Sequence, residues 1–250
     1  MTTWVLLRGL AREQGHWGRF ATLLQQRVPA GDTVVAVDLP GNGERWREAS
    51  PMDVPAMLGS VHDTLRSRGC DGPAIVIALS LGGMVAMQWA AVAPQELRAC
   101  VLINSSAADF SPFWARLRPG SWPGLLRGLW RTSAQAREAA VFAATSNLPV
   151  DEETIAAWAA IAQARPVARR NVAKQLWAAA RYRAPAALPV PTLLLASRGD
   201  RLVAPSCSAA LARAWQVPLV EHPWAGHDLP LDDPLWVVDA VLRWLPGGAS

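Results

Sequence analysis

Cysteine is scarce: Cys70, Cys100 and Cys207 are the only three in 250 residues, an odd number with no Cys-x-x-Cys pair. That excludes a disulfide framework and a thiolate zinc site. The three read as reduced thiols, with Cys100 inside an apolar run and Cys207 exposed after a turn. Lysine is scarcer, since every basic residue but Lys174 is arginine. No apolar run approaches the roughly eighteen residues of a membrane span, and no basic start leads into an apolar block with a cleavage site. Stable membrane insertion and secretion are therefore not expected, and the cytoplasm is the expected location. Zinc-finger, RNP and long basic-tail patterns are missing too. The 24 basic residues against 20 acidic, a net of +4, thus do not point to nucleic acid.

What the chain has is apolar sequence, 51% hydrophobic against 18% charged, which suits one domain with a large core. Continuous apolar runs at Thr3 to Leu7, Thr33 to Val37, Ala74 to Leu79, Ala99 to Ile103, Thr192 to Ala196 and Pro218 to Glu221 predict strands buried on both faces. Segments of helical period lie between them: Trp17 to Arg27, Val54 to Arg68, Leu81 to Ala93, Ser206 to Ala214 and Pro234 to Trp244. The alternation predicts an α/β fold, a doubly wound and mostly parallel sheet of about six strands.

From Ser105 to Leu188 no strand is evident. Instead there are Ala-, Arg- and Trp-rich helical segments, one beginning at Asp151-Glu152-Glu153 and another with Pro166 in its first turn. The expected organisation is a core of residues 1–104 and 189–250 with a helical lid, residues 105–188, inserted between two late strands. The lid carries ten Arg and Lys174 against Asp109, Glu138, Asp151, Glu152 and Glu153, so the positive charge of the chain is a property of the lid.

The chemistry concentrates at Ala78-Leu79-Ser80-Leu81-Gly82-Gly83, between a predicted strand and a predicted helix. A serine on such a sharp turn holds its hydroxyl clear of the sheet, and small neighbours let the two backbones approach. Asp200 follows the next-to-last strand, within Arg198-Gly199-Asp200-Arg201, and His227 follows the last, within Ala225-Gly226-His227-Asp228. Serine, then acid, then histidine, each beyond a strand's carboxyl end, is the order of a nucleophilic triad on this kind of sheet. His222 is the rival base, while His16 reads as a helix-start or pocket-rim residue and His62 as a residue inside a helix that faces solvent or a helix partner. Asp109 is a lesser candidate acid, and Asp232 and Asp233 read as caps of the last helix.

These motifs, with Arg8-Gly9-Leu10 after the first strand and Asp38-Leu39-Pro40-Gly41-Asn42-Gly43 after the second, resemble the α/β-hydrolase superfamily over nearly the whole chain. Ala78, Arg8 and Asn42 stand where Gly, His and His are usual. Among its branches the chain is similar to small carboxylesterases such as the pimeloyl-carrier-protein methyl ester esterases. The resemblance implies a serine ester hydrolase that needs neither metal nor organic cofactor, with backbone N–H groups of Leu10 and Leu81 as the oxyanion hole. A small hydrophobic ester of short to medium acyl or alkyl chain is the expected substrate. An acidic acyl carrier protein docking on the Arg-rich lid is the alternative partner, and a non-catalytic ligand-binding homologue the alternative class. Candidate pocket residues are Arg8, Trp17, Phe110, Phe113, Trp114 and Trp122. Arg8 either braces its loop, through Glu13 or Glu44, or meets a substrate carboxylate.

Overall fold

The computed structural model describes residues 1–121, 123, 131 and 133–245. Six strands, β1 (Thr3–Leu7), β2 (Thr33–Val37), β3 (Ala74–Leu79), β4 (Leu97–Ile103), β5 (Thr192–Ser197) and β6 (Leu219–His222), form one parallel sheet in the order β2-β1-β3-β4-β5-β6. The helices among the described residues are α1 (Arg19–Arg27), α2 (Val54–Ser67), α3 (Leu81–Val92), α4 (Phe113–Arg116), α5 (Ala134–Thr145), α6 (Glu152–Ala164), α7 (Arg169–Arg181), α8 (Pro205–Trp215), α9 (Leu229–Asp232) and α10 (Pro234–Trp244). All six expected strands form; β4 begins earlier than its apolar run, and β6 is displaced by one residue.

The continuous apolar runs are explained by cover on both faces. Val5, Leu7, Val76, Ala78, Cys100, Leu102 and Leu194 pack with α2, α3 and α8, whereas Trp4, Leu6, Ile75, Ile77, Val101, Ile103, Leu193 and Leu195 pack with α1 and α10. Alternate residues of the inner strands β1, β3, β4 and β5 therefore enter opposite layers. The expectation of burial on both faces is corrected for the edge strands β2 and β6, where Thr33, Val220 and Glu221 are exposed and Val34 to Ala36 only partly buried. Each fully buried Leu, Ile or Val contributes about 1.5–3 kcal/mol relative to exposure. Helix α3 is buried almost all round, so it has no solvated stripe.

Helices α4 to α7 lie in the connection between β4 and β5. Helix α6 begins where its acidic first turn predicts: Asp151 caps it, accepting from the N–H groups of Glu153 (3.1 Å) and Thr154 (3.3 Å). The expectation for Pro166 is corrected, because α7 begins only at Arg169. A proline disfavours helical backbone in the residue before it, and Arg165 is indeed the non-helical cap that ends α6. Pro166 thus closes one helix and does not open the next. Phe142, Ile155 and Trp158 form a small core of their own between α5 and α6.

Cys207 is also corrected: it is fully buried within α8, and burial pushes its thiol up. No helix among the described residues is long and apolar enough to cross a membrane.

Candidate active site

Strand order reverses between β1 and β3, which are paired although β2 lies between them in sequence. Loops leaving two such strands diverge to opposite sides, and the gap at their carboxyl ends is where ligands bind in open α/β sheets. Register puts Leu7 opposite Ala78, so the loop Arg8–Gly9–Leu10 and the turn at Ser80 leave the sheet side by side. A Cβ on Gly9 would sit 3.2 Å from the Ser80 Cβ and 3.7 Å from its Oγ. Gly9 thus lets the loop touch the serine.

Ser80 has φ +57° and ψ −116°, a region unfavourable for an L residue and costing about 1–3 kcal/mol. Its neighbours hold it there. Its N–H donates to the Ile103 carbonyl (2.9 Å), and its own carbonyl accepts from Ser105 Oγ (2.8 Å). A Cβ on Gly82 would stand 2.4 Å from the Leu7 carbonyl oxygen, so the small residue after the turn is required by backbone packing of α3 on β1.

Asp200 and His227 meet. Nδ1 of His227 lies 2.7 Å from Oδ2 of Asp200, and both side chains are buried. The other carboxylate oxygen accepts from the N–H groups of Leu202 (2.7 Å) and Val203 (2.9 Å), which fixes the acid's orientation. A carboxylate at Nδ1 selects the tautomer with its proton there and leaves Nε2 as acceptor.

Asn104, absent from the sequence-based candidates, connects the loops. It follows β4 at φ +46° and is buried. Its Nδ2 donates to the His227 carbonyl (2.8 Å) and to Ser197 Oγ (3.0 Å), and its Oδ1 accepts from the Ser197 N–H (2.8 Å). One amide thus ties the histidine loop and the acid strand to the strand beside the serine. The only sequence signal was an Asn ending an apolar strand, a residue type that tolerates positive φ.

Arg8 braces, but its partner is neither Glu13 nor Glu44. Its guanidinium makes two bonds to Asp228, 3.0 and 2.6 Å, and lies over the Trp17 ring at 4.8 Å. Both partners of the pair are buried, Arg8 being 3% exposed. The loop after β1 is therefore clamped to the residue after His227. Glu13 pairs instead with Arg165 at the end of α6, and Arg12 pairs with Glu138 of α5 at 2.6 Å.

The remaining titratable candidates have structural posts. His16 accepts from the Glu13 N–H at Nδ1 (3.1 Å) and meets Arg12 at Nε2 (2.8 Å); burial, then Arg12 and Arg8, hold its pKa well below the ordinary value. His222 takes the Ala225 N–H and packs edge-on against Trp224 and Trp236. His62 adjoins Trp89 and Glu96 beside a cavity of about 140 Å³ at the amino ends of β1 and β3, away from Ser80. Asp109 accepts from the Ala184 N–H. Asp233 caps α10 as expected, donated to by Trp236 N–H (3.0 Å), but Asp232 does not. It accepts from Gly226 N–H (2.6 Å), Asn147 N–H (3.0 Å) and Ser146 Oγ (2.5 Å), joining the histidine loop to the segment after α5, and burial raises its pKa.

The aromatic pocket candidates scatter. Trp17 and Phe110 pack with the two core layers, the latter against Trp215, while Phe113 and Trp114 are 59% and 61% exposed. Trp122 lies outside the described residues. A recess of about 320 Å³ opens instead beside the acid loop, lined by Gly120, Ser121, Arg131, Ala140, Ala143, Ala144 and Arg201. Among the described residues no group of three or more His, Cys, Asp and Glu side chains could hold a metal ion.

A model of the alpha/beta hydrolase family matches residues 4–240. The chain is 29% identical to a pimeloyl-[acyl-carrier protein] methyl ester esterase of Chromobacterium violaceum over 97% of this chain and 84% of that one. Against the protein of that name from Neisseria meningitidis serogroup C the identity is 39%, over 34% of this chain and 30% of the other. In fold it is similar to the enol-lactonase from Burkholderia xenovorans, with TM-score 0.76 and 18% identity over 97% of this chain and 90% of that one.

Arg8→Met leaves Asp228 as an uncompensated buried charge and is expected to cost about 3–5 kcal/mol in urea unfolding. Arg8→Met/Asp228→Leu removes both charges and should recover most of that loss; equal instability of single and double variants would contradict the pairing. Asn104→Ala strands the Ser197 N–H and the His227 carbonyl, and should cost about 1–3 kcal/mol in the same measurement.

Proposed function

Because the chain belongs to the alpha/beta hydrolase family, we propose that it is a serine ester hydrolase in which Ser80, His227 and Asp200 act together on short to medium, hydrophobic acyl or alkyl esters. The observation that carries this reading is the 2.7 Å bond between His227 and Asp200, taken together with a serine held at φ +57° on a strand-to-helix turn. Nε2 of His227 takes the Ser80 proton as Oγ attacks the ester carbonyl carbon, and the imidazolium then protonates the leaving alkoxide. Asp200 stabilises that imidazolium and keeps the ring oriented. The oxyanion is held by the main-chain N–H groups of Leu10 and Leu81, the second at the N-terminus of α3 where the helix dipole adds to the hydrogen bond. Water repeats the sequence on the acyl-enzyme.

Arg8 has both outer nitrogens on Asp228, so recognition of the substrate falls to apolar surface, in keeping with an uncharged ester.

A second reading within the class is hydrolysis of an ester borne by an acidic acyl carrier protein, with the segment between β4 and β5 as lid and docking face. It is favoured by the outward face of α7, where Arg170, Trp177 and Arg181 are exposed and no acidic residue occurs. Counter-charge of this kind raises encounter rates.

With p-nitrophenyl esters from acetate to laurate, Ser80→Ala should abolish turnover while leaving the unfolding midpoint unchanged. Asp200→Asn should lower kcat by about 10⁴-fold through the wrong histidine tautomer. Wild-type-like turnover in Ser80→Ala would overturn the mechanism. For the carrier reading, Arg170→Glu/Arg181→Glu should lower kcat/KM for a carrier-bound ester at least tenfold and leave that for p-nitrophenyl butyrate within twofold; equal effects on both substrates would count against docking.

A further inference from the structure

The buried stripe of α7 is Asn171, Gln175 and Ala178, and two of these three are amides where an apolar residue would be ordinary. Asn171 is spent on anchoring: its Oδ1 accepts from the Ser50 N–H (3.0 Å) and its Nδ2 donates to the Glu48 carbonyl (2.9 Å). Gln175, fully buried, reaches further. Its Nε2 donates to Asn42 Oδ1 and to Ser50 Oγ, both at 3.0 Å, and its Oε1 accepts the N–H of Ala11 at 2.9 Å.

Ala11 is the residue after Leu10. The Arg12 N–H donates to the Gly9 carbonyl (3.3 Å), closing a four-residue turn in which Ala11 stands third with φ +55°. A turn with positive φ at that position ordinarily carries Gly. Alanine in the left-handed region costs about 1–2 kcal/mol, so something outside the turn must hold it. The bond from Ala11 to Gln175 is that restraint. It fixes the plane of the peptide between Leu10 and Ala11, the one peptide whose flip separates the two common turn types, and the rotation of Leu10 follows from it.

We propose that Gln175, carried by the segment between β4 and β5, is a positioning residue for the oxyanion hole: by holding the Ala11 N–H it aims the Leu10 N–H at the developing oxyanion. This rests on the reading of Ser80 as nucleophile. It also makes α7 a fixed wall of the active site, since Asn171 and Gln175 between them hold Ser50, Glu48, Asn42 and Ala11.

The test compares Gln175→Met, which removes acceptor and donors, with Gln175→Glu, which keeps the acceptor; Asn42 has a buried Nδ2 without a partner among the described residues and can turn to meet the new carboxylate. Losing an oxyanion donor outright costs about 10²–10³ in kcat, so misaiming one should cost about 10- to 100-fold. In Gln175→Met, kcat for p-nitrophenyl butyrate should fall by that factor with KM within threefold, and affinity for a trifluoromethyl ketone inhibitor should fall in parallel. Gln175→Glu should restore kcat to within about fivefold, and Ala11→Gly added to Gln175→Met should recover part of the loss, because glycine adopts the turn unaided. If Gln175→Met does not fold, Gln175→Asn, one methylene too short to reach Ala11, takes its place with the same expectation. Unchanged kcat and inhibitor affinity, or equal losses in the Met and Glu variants with no recovery by Ala11→Gly, would overturn the inference while Ser80-dependent turnover of the wild type stands. Absence of Ser80 dependence in the wild type would remove the reading beneath it as well.

Discussion

The pairing of β1 with β3, with Leu7 opposite Ala78, is the constraint from which the site follows. Both strands end at the same height, so the two chains leaving them must share a narrow space, and the shared space selects the residues. Gly9 is small because Ser80 lies against it, and Gly82 is small because the Leu7 carbonyl lies 2.4 Å from where its Cβ would be. The same closeness forces Ser80 into positive φ, and a strained backbone persists only where its surroundings over-determine it. Bonds from Ile103 and Ser105 supply that on one side, and the loop of Arg8 to Arg12 supplies it on the other.

Around this point the molecule spends its arginines inward. Arg8 clamps the loop after β1 to the residue following His227, and Arg12 and Arg165 clamp the same loop region to α5 and α6. Arg201 donates to the Ala143 and Ser146 carbonyls at the end of α5, and Arg118 to the carbonyl of Asp200. A planar guanidinium with several fixed donors can satisfy two acceptors at once, which a lysine ammonium does less well at such crowded sites. The near absence of lysine is thereby partly structural. Arg170 and Arg181 stay exposed on α7, and others such as Arg19, Arg47, Arg98 and Arg213 are exposed elsewhere on the surface.

The inner strands of the sheet were readable in the sequence because burial on both faces leaves only one pattern, uninterrupted apolar runs of five or six residues separated by helical period. The serine turn, the acid and the histidine were readable because each is a short local signature at a strand end. Asn104 and Gln175 were not, since their meaning lies in partners more than ninety residues away in sequence. Arg8 was visible as an exception, but its partner Asp228 is 220 residues distant and only the fold joins them. The placement of Phe110 in a core layer and of Phe113 and Trp114 at the surface was not legible for a general reason: Trp and Phe at helical spacing are as suited to packing a layer as to lining a cavity, and composition does not separate the two.

Every role proposed for the site depends on Ser80 being a nucleophile activated by His227. Reaction with a fluorophosphonate, followed by intact-mass analysis and peptide mapping, reads this without any assumption about the natural ester. One adduct on Ser80, formed at least a hundredfold more slowly in His227→Gln than in the wild type, is the expected result. No adduct, an adduct on another serine such as Ser105, or labelling of Ser80 that is indifferent to His227 would contradict it.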